Sequence, residues 1–128
     1  MKVVPKKETM EEVSRYLDER FEELEIPMKA DATGHIVFDE IYSNIVYYSG
    51  ASFASIDCEL DGDFLCMEFR DDGVQYNPLE KEDPDLTLET EERPVGGLGI
   101  FMVKNMVADF QYAYEQNENV IRIKIKVA

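Results

Sequence analysis

The sequence holds one histidine and two cysteines. That is too few soft ligands for a usual zinc set, and no Cys-x-x-Cys pair occurs. Long apolar runs are missing as well. None approaches the roughly 20 residues needed to span a bilayer. The first stretch, Met1-Lys2-Val3-Val4-Pro5-Lys6-Lys7-Glu8, has no hydrophobic region of a secretory leader. The expected compartment is the cytoplasm, with no membrane partner. Positive charge is scarce: Lys plus Arg is 13 against 28 for Asp plus Glu, a net −15. Such a surface repels nucleic-acid backbones and anionic lipid. It suits a basic protein partner, or serves solubility alone. No repeat and no Gly/Ser/Pro-rich linker divides the chain. With 128 residues, 45% of them apolar, it reads as a single domain with a normal core.

Cys58 and Cys66 fall in strand-like segments on either side of Asp61-Gly62-Asp63. A three-residue loop there would set them opposite each other. In a cytoplasmic protein they are expected as buried free thiols.

Hydrophobic spacing orders the rest. Met10, Val13, Leu17, Phe21 and Leu24 recur at three- and four-residue steps, which predicts a helix over 8–25 that Pro27 stops. A second helix is expected from near Asp31 to Tyr48, with Val37, Ile41, Ile45 and Tyr48 as its apolar stripe. Residues 53–60 and 64–70 read as a hairpin around Asp61-Gly62. A long irregular stretch follows from Asp71 to about Gly97. It has seven acids against two basic residues between Glu80 and Arg93. Loops of more than roughly 12–15 residues in a compact domain are usually functional or disordered. A third helix is expected after Gly99. A last hairpin joins 110–115 to 119–127 around Gln116-Asn117-Glu118-Asn119, and Val120 to Val127 alternates cleanly. Helices lead and strands follow. That order predicts an α+β two-layer sandwich: a mixed or mostly antiparallel sheet with helices on one face.

Three clusters could carry chemistry. Glu40 and Asn44 are one helical turn apart. A carboxylate can take a hydroxyl proton and a carboxamide oxygen can ligate Mg²⁺, so the pair suits phosphoryl transfer; it also suits a plain exposed face. Asp71-Asp72-Gly73 follows a strand. Its carboxylate can accept from an exocyclic amine and its glycine lets a planar ligand approach, although Asp-Gly is also a common turn dipeptide. Gly96-Gly97-Leu98-Gly99-Ile100 leads into a helix, with Arg93 and Lys104 as nearby cations. Such a run cradles phosphate, or hinges. It is neither a Walker loop nor a Rossmann loop. His35, within the second helix, reads as a surface or packed histidine.

Taken in order, helix with Glu-x-x-x-Asn, hairpin, Asp-x-Gly, long acidic segment and Gly-Gly-x-Gly into helix, the chain resembles the GHKL ATPase superfamily with its Bergerat fold. More closely, it is similar to the bacterial anti-sigma regulatory factors, which are serine/threonine kinases. The resemblance covers about Val3 to Val127. It is strongest from Asp71-Asp72-Gly73-Val74-Gln75-Tyr76-Asn77-Pro78 to Arg93-Pro94-Val95-Gly96-Gly97-Leu98-Gly99-Ile100. It implies that Glu40 is the general base and Asn44 the Mg²⁺ ligand. It implies that Asp71 reads the adenine amino group, with Gly73 under the ring. Gly97 and Gly99 would close over the phosphates, with Gly96, Leu98 and Lys104 as further nucleotide-binding candidates, under a lid of about 74–97 whose Arg93 reaches the terminal phosphate. The implied cofactors are ATP and Mg²⁺. The implied partners are a STAS-domain anti-anti-sigma factor, a sigma factor and a second copy of the chain. Two other outputs fit the same residues: an ATP/ADP-binding partner switch without transfer, and a histidine-kinase-type catalytic domain. The last ranks lowest, because no phosphoacceptor helix region is seen. Two positions depart from the family pattern. Tyr47 and Tyr48 stand where a basic residue is common. The last strand has no threonine over 120–123, where Arg122 is the nearest polar residue.

Overall fold

Val13, Leu17 and Phe21 are fully buried, and their spacing makes Met10–Glu23 an amphipathic helix, α1. The computed structural model describes residues 1–80 and 98–128. Helix α1 ends on Glu25, which takes a φ of 55°. The Ile26 N–H reaches Phe21 O and the Glu25 N–H reaches Glu22 O, each at 3.0 Å. This paired closure satisfies the last carbonyls. Pro27, expected as the stop, instead opens the next helix. Its fixed φ and missing N–H suit a helix start. Helix α2 therefore runs Met28–Asn44 and begins before Asp31. Gly34 lets the two helices meet closely: a Cβ there would lie 2.8 Å from the Phe21 ring.

Residues Ile45–Ser49 continue α2 as a π turn, closed by Gly50 at a φ of 65°. The wider winding shifts the helical phase. Tyr48 was expected on the apolar stripe with Ile41 and Ile45; it leaves that stripe and is 76% exposed.

Strand β1 (Lys2–Val3) was not foreseen; two residues carry no period. β2 (Ala54–Asp61) and β3 (Phe64–Asp71) form the expected hairpin. α3 spans Leu98–Met106, and β4 (Asp109–Glu115) and β5 (Glu118–Lys126) close the described chain. The sheet order is β1-β2-β3-β5-β4, and all four pairings are antiparallel rather than mixed. Inward residues alternate along each strand: Ile56 and Cys58, then Leu65, Met67 and Phe69, then Ile121, Ile123 and Ile125. They pack with Val37, Phe38, Ile41, Ile100 and Val103 from the helices in one core. Burying side chains of this size contributes about 1.5–3 kcal/mol each. On the other sheet face Glu68 accepts hydrogen bonds from Arg70 Nε at 2.7 Å and Arg122 Nε at 3.0 Å.

Both hairpin loops are tighter than expected. Asp61 pairs with Phe64, leaving Gly62 and Asp63 as a two-residue turn with Gly62 at a φ of 60°. Cys58 therefore faces Met67, while Cys66 faces Glu59. The thiols lie on opposite faces of the sheet, not opposite each other, and both are free. Only Cys58 is fully buried. Gln116 and Asn117, both at positive φ, make the second turn, so Glu118 and Asn119 belong to β5.

Candidate functional site

The alternation that buries Leu65, Met67 and Phe69 brings Asp71 to the same face at the end of β3. The antiparallel register sets Asn119 of β5 directly across from it. Among the described residues these are the two buried polar side chains, each 5% exposed. They form the polar end of a cavity of about 410 Å³. That volume is in the usual range for a small-molecule site, about 300–1,000 Å³. Ile41, Ile45, Ile100 and Ile121 supply apolar walls. Asn44 and Tyr48 come from the end of α2, and residues 74–76 close the side after β3.

Asp71 Oδ1 accepts from the Gly73 N–H at 2.9 Å and from Asn119 Nδ2 at 3.1 Å. Among the described residues its other oxygen takes no hydrogen bond. Burial pushes the Asp71 carboxyl above its ordinary value, and the Gly73 and Asn119 donors offset part of that push. Asp72 next door has the opposite environment. It accepts from Ser52 and from the backbone N–H groups of Ser52 and Phe53, and the Ser52 hydroxyl is the main reason its carboxyl is lowered. Asp72 thus ties the loop before β2, while Asp71 faces the cavity. A Cβ at Gly73 would lie 2.4 Å from the Ser49 carbonyl oxygen, which also accepts the Val74 N–H at 2.9 Å. Only glycine fits this close approach.

Asn119 was expected as a turn residue. Counting back by twos from Ile125, Ile123 and Ile121 would have put it on the inner face. Its four hydrogen-bonding sites are all used. Nδ2 donates to Asp71 Oδ1 and, at 2.9 Å, to Val74 O; Oδ1 accepts from Tyr76 N at 3.0 Å and Tyr112 OH at 2.5 Å. Arg122, expected as the polar residue of the last strand nearest the base, lies on the opposite face. There it bonds Glu68 and Glu115.

Asn44 lines the cavity, and among the described residues nothing hydrogen-bonds its carboxamide. Glu40 lies one turn earlier on α2, and its carboxylate touches the start of α3: a Cβ at Gly99 would sit 1.8 Å from Glu40 Oε2. Of the candidate residues, Asn44 and Asp71 line the cavity; Gly73 bonds to Asp71 from behind it, and Glu40 and Gly99 meet each other one turn from Asn44 and one residue before Ile100. Leu98 opens α3. Lys104 is in the last turn of that helix, four residues beyond Ile100, and does not line the cavity. Arg93, Gly96 and Gly97, and the lid beyond residue 80, lie outside the described residues. No cluster of three or more His, Cys, Asp or Glu that could hold a metal occurs among the described residues. No helix there is long and apolar enough to cross a membrane.

The arrangement fits an amine-bearing planar ring in an apolar slot, with an acceptor at its end. A family model described as the histidine kinase-like ATPase domain matches residues 3–125. The chain belongs to that family, an ATP-binding, kinase-like ATPase class within the GHKL superfamily. No curated protein matches it.

Proposed function

We propose that this domain is an anti-sigma regulatory factor with Mg²⁺-ATP-dependent serine/threonine kinase activity. The substrate is a small STAS-domain anti-anti-sigma factor, a sigma factor is the competing partner, and the working form is a homodimer. One observation supports the kinase reading above others: the Glu40 carboxylate lies against Gly99, one helical turn from the cavity-lining Asn44. The carboxylate that would serve as base then lies one helical turn from the carboxamide that lines the slot.

The chain's residues divide the work. Asp71 accepts from the adenine amine, with the Gly73 N–H holding its carboxylate in place. Asn44 would offer its amide oxygen to Mg²⁺. Bound there, the ion would neutralise phosphate charge, which this acidic chain cannot do alone. Glu40 takes the proton of the incoming serine or threonine hydroxyl. That oxygen bonds to the terminal phosphorus as the bond to the bridging oxygen breaks, giving phosphoprotein and ADP.

Labelled ATP, Mg²⁺ and a STAS-domain protein of the same genome test the reading. Label transfer is expected with the wild type, and about 100-fold slower transfer with Glu40→Ala. Absent transfer, or transfer unchanged in Glu40→Ala, rejects the kinase reading.

A second reading is an ATP/ADP-binding partner switch that transfers nothing. It is favoured by Tyr47 and Tyr48, 59% and 76% exposed just beyond Asn44. Among the described residues no Lys or Arg lines the cavity. Calorimetric ADP binding without label transfer is its signature.

A further inference from the structure

The orientation of the Asn119 side chain is fixed by its partners. Turned over, its NH₂ would face the Tyr76 N–H, and its oxygen would face Asp71 Oδ1 and the Val74 carbonyl. Donor would meet donor and acceptor would meet acceptor. The observed orientation alone satisfies every group. It joins two walls of the cavity: the carboxylate ending β3 and the backbone of residues 74–76.

We propose that Asn119 is a positioning residue that sets base selectivity: by donating to Asp71 Oδ1 and holding residues 74–76, it leaves Asp71 Oδ2 to act only as an acceptor, so that the cavity takes a 6-aminopurine and rejects a 6-oxopurine. The inference rests on the ATP-binding reading of the site. A buried carboxyl tends to hold a proton, and Asp72 and Glu118 add to that tendency. A protonated Asp71 could turn its O–H toward a 6-oxo group and accept the wrong base. The two N–H donors on Oδ1 oppose this. They favour the ionised form and stop the carboxylate from rotating. Gly73 supplies one of them from the backbone, so Asn119 is the donor that side-chain substitution can remove. Tyr112 acts behind it, since its hydroxyl holds Asn119 Oδ1.

Calorimetric titration with ADP and with inosine diphosphate, which carries a 6-oxo group, tests this. Sites built to bond one polar group reject its replacement strongly. The wild type is expected to bind ADP at least about 30-fold more tightly than inosine diphosphate. Asn119→Ala is expected to lose roughly 10-fold of that ratio, mainly through tighter inosine diphosphate binding, an effect that loosened packing alone does not produce. Tyr112→Phe removes only one prop and should lower the ratio by about 3-fold; it carries the test if Asn119→Ala does not fold. A wild type that prefers ADP, with folded variants that keep the full preference, overturns the role of Asn119 and leaves the ATP-binding reading intact. A wild type that binds neither diphosphate overturns both.

Discussion

Glu40 of α2 and Gly99 of α3 are in contact, with a carboxylate oxygen of the first occupying the space that a Cβ on the second would need. The proposed base is thus positioned by the absence of a side chain on another helix. Its carboxylate ends a flexible chain and can swing aside, so the fold should tolerate a methyl group at residue 99 while the alignment does not.

Gly99→Ala is therefore expected to leave the thermal midpoint within about 3 °C of wild type. Phosphoryl transfer to a STAS-domain protein should fall by about 100-fold. Binding of ADP, measured by calorimetry, should change little. An equal loss of ADP affinity would mean that Gly99 serves the nucleotide and not Glu40.

Asp71→Asn should reverse base preference. With the amide oxygen held by Gly73 and Asn119, its NH₂ takes the place of Oδ2 and presents a donor. Inosine diphosphate should then bind more tightly than ADP. The pH dependence follows from the raised Asp71 carboxyl. The folded chain holds this proton more tightly than the unfolded one, so the group's contribution to stability is present below its unfolded value and is lost as pH rises through the folded one. ADP needs the ionised acceptor and should bind more tightly over the same rise. Asp71→Asn should flatten both trends above the ordinary aspartate value. Urea midpoints and ADP titrations across that range measure them.

Glu68 has the opposite sign. Burial raises its carboxyl, but the hydrogen bonds from Arg70 and Arg122 outweigh this and leave it lowered. A lowered carboxyl contributes stability above its unfolded value, and that stability is lost as pH falls through the folded one. Glu68→Gln should cost about 0.5–1 kcal/mol at pH 7 in urea unfolding, and much less below about pH 4.

The two thiols should behave independently. Burial pushes Cys58 up to about 12, and it is almost fully enclosed. Cys66 is also raised by burial but is only partly covered. Iodoacetamide on the native protein should label Cys66 slowly and spare Cys58, and mild oxidation should form no bridge within the chain. Both thiols lie in the tryptic peptide 30–70, so fragmentation of that peptide by tandem mass spectrometry reads which one is labelled.

Much of this was legible in the residues. The stripe of Val13, Leu17 and Phe21 specified α1, and the alternation through Ile121, Ile123 and Ile125 specified β5. The end of β3 at Asp71 could be read from its alternation and from the Asp72-Gly73 dipeptide after it. What escaped depends on geometry that period does not encode. Glu25 ends α1 by adopting a conformation its side chain does not advertise. The π turn at 45–49 moves Tyr48 from stripe to cavity mouth. One residue fewer in the first hairpin loop separates Cys58 from Cys66. Asn119 was hidden because asparagine beside Gln116-Asn117 reads as turn chemistry. Its value comes from Asp71, 48 positions earlier, which only the strand register brings alongside.

Strand β4 ends the sheet, and among the described residues it pairs with β5 alone. Its outer rim is a template on which a neighbouring molecule could add a strand. Acids stand at both ends, Asp109 and Glu115, within a chain whose net charge is −15. At neutral pH mutual repulsion opposes uncontrolled stacking on this rim and favours colloidal solubility. Acidification neutralises those carboxylates and weakens the repulsion, so the medium in which the buried Asp71 takes up its proton is also the one in which the chain would come out of solution.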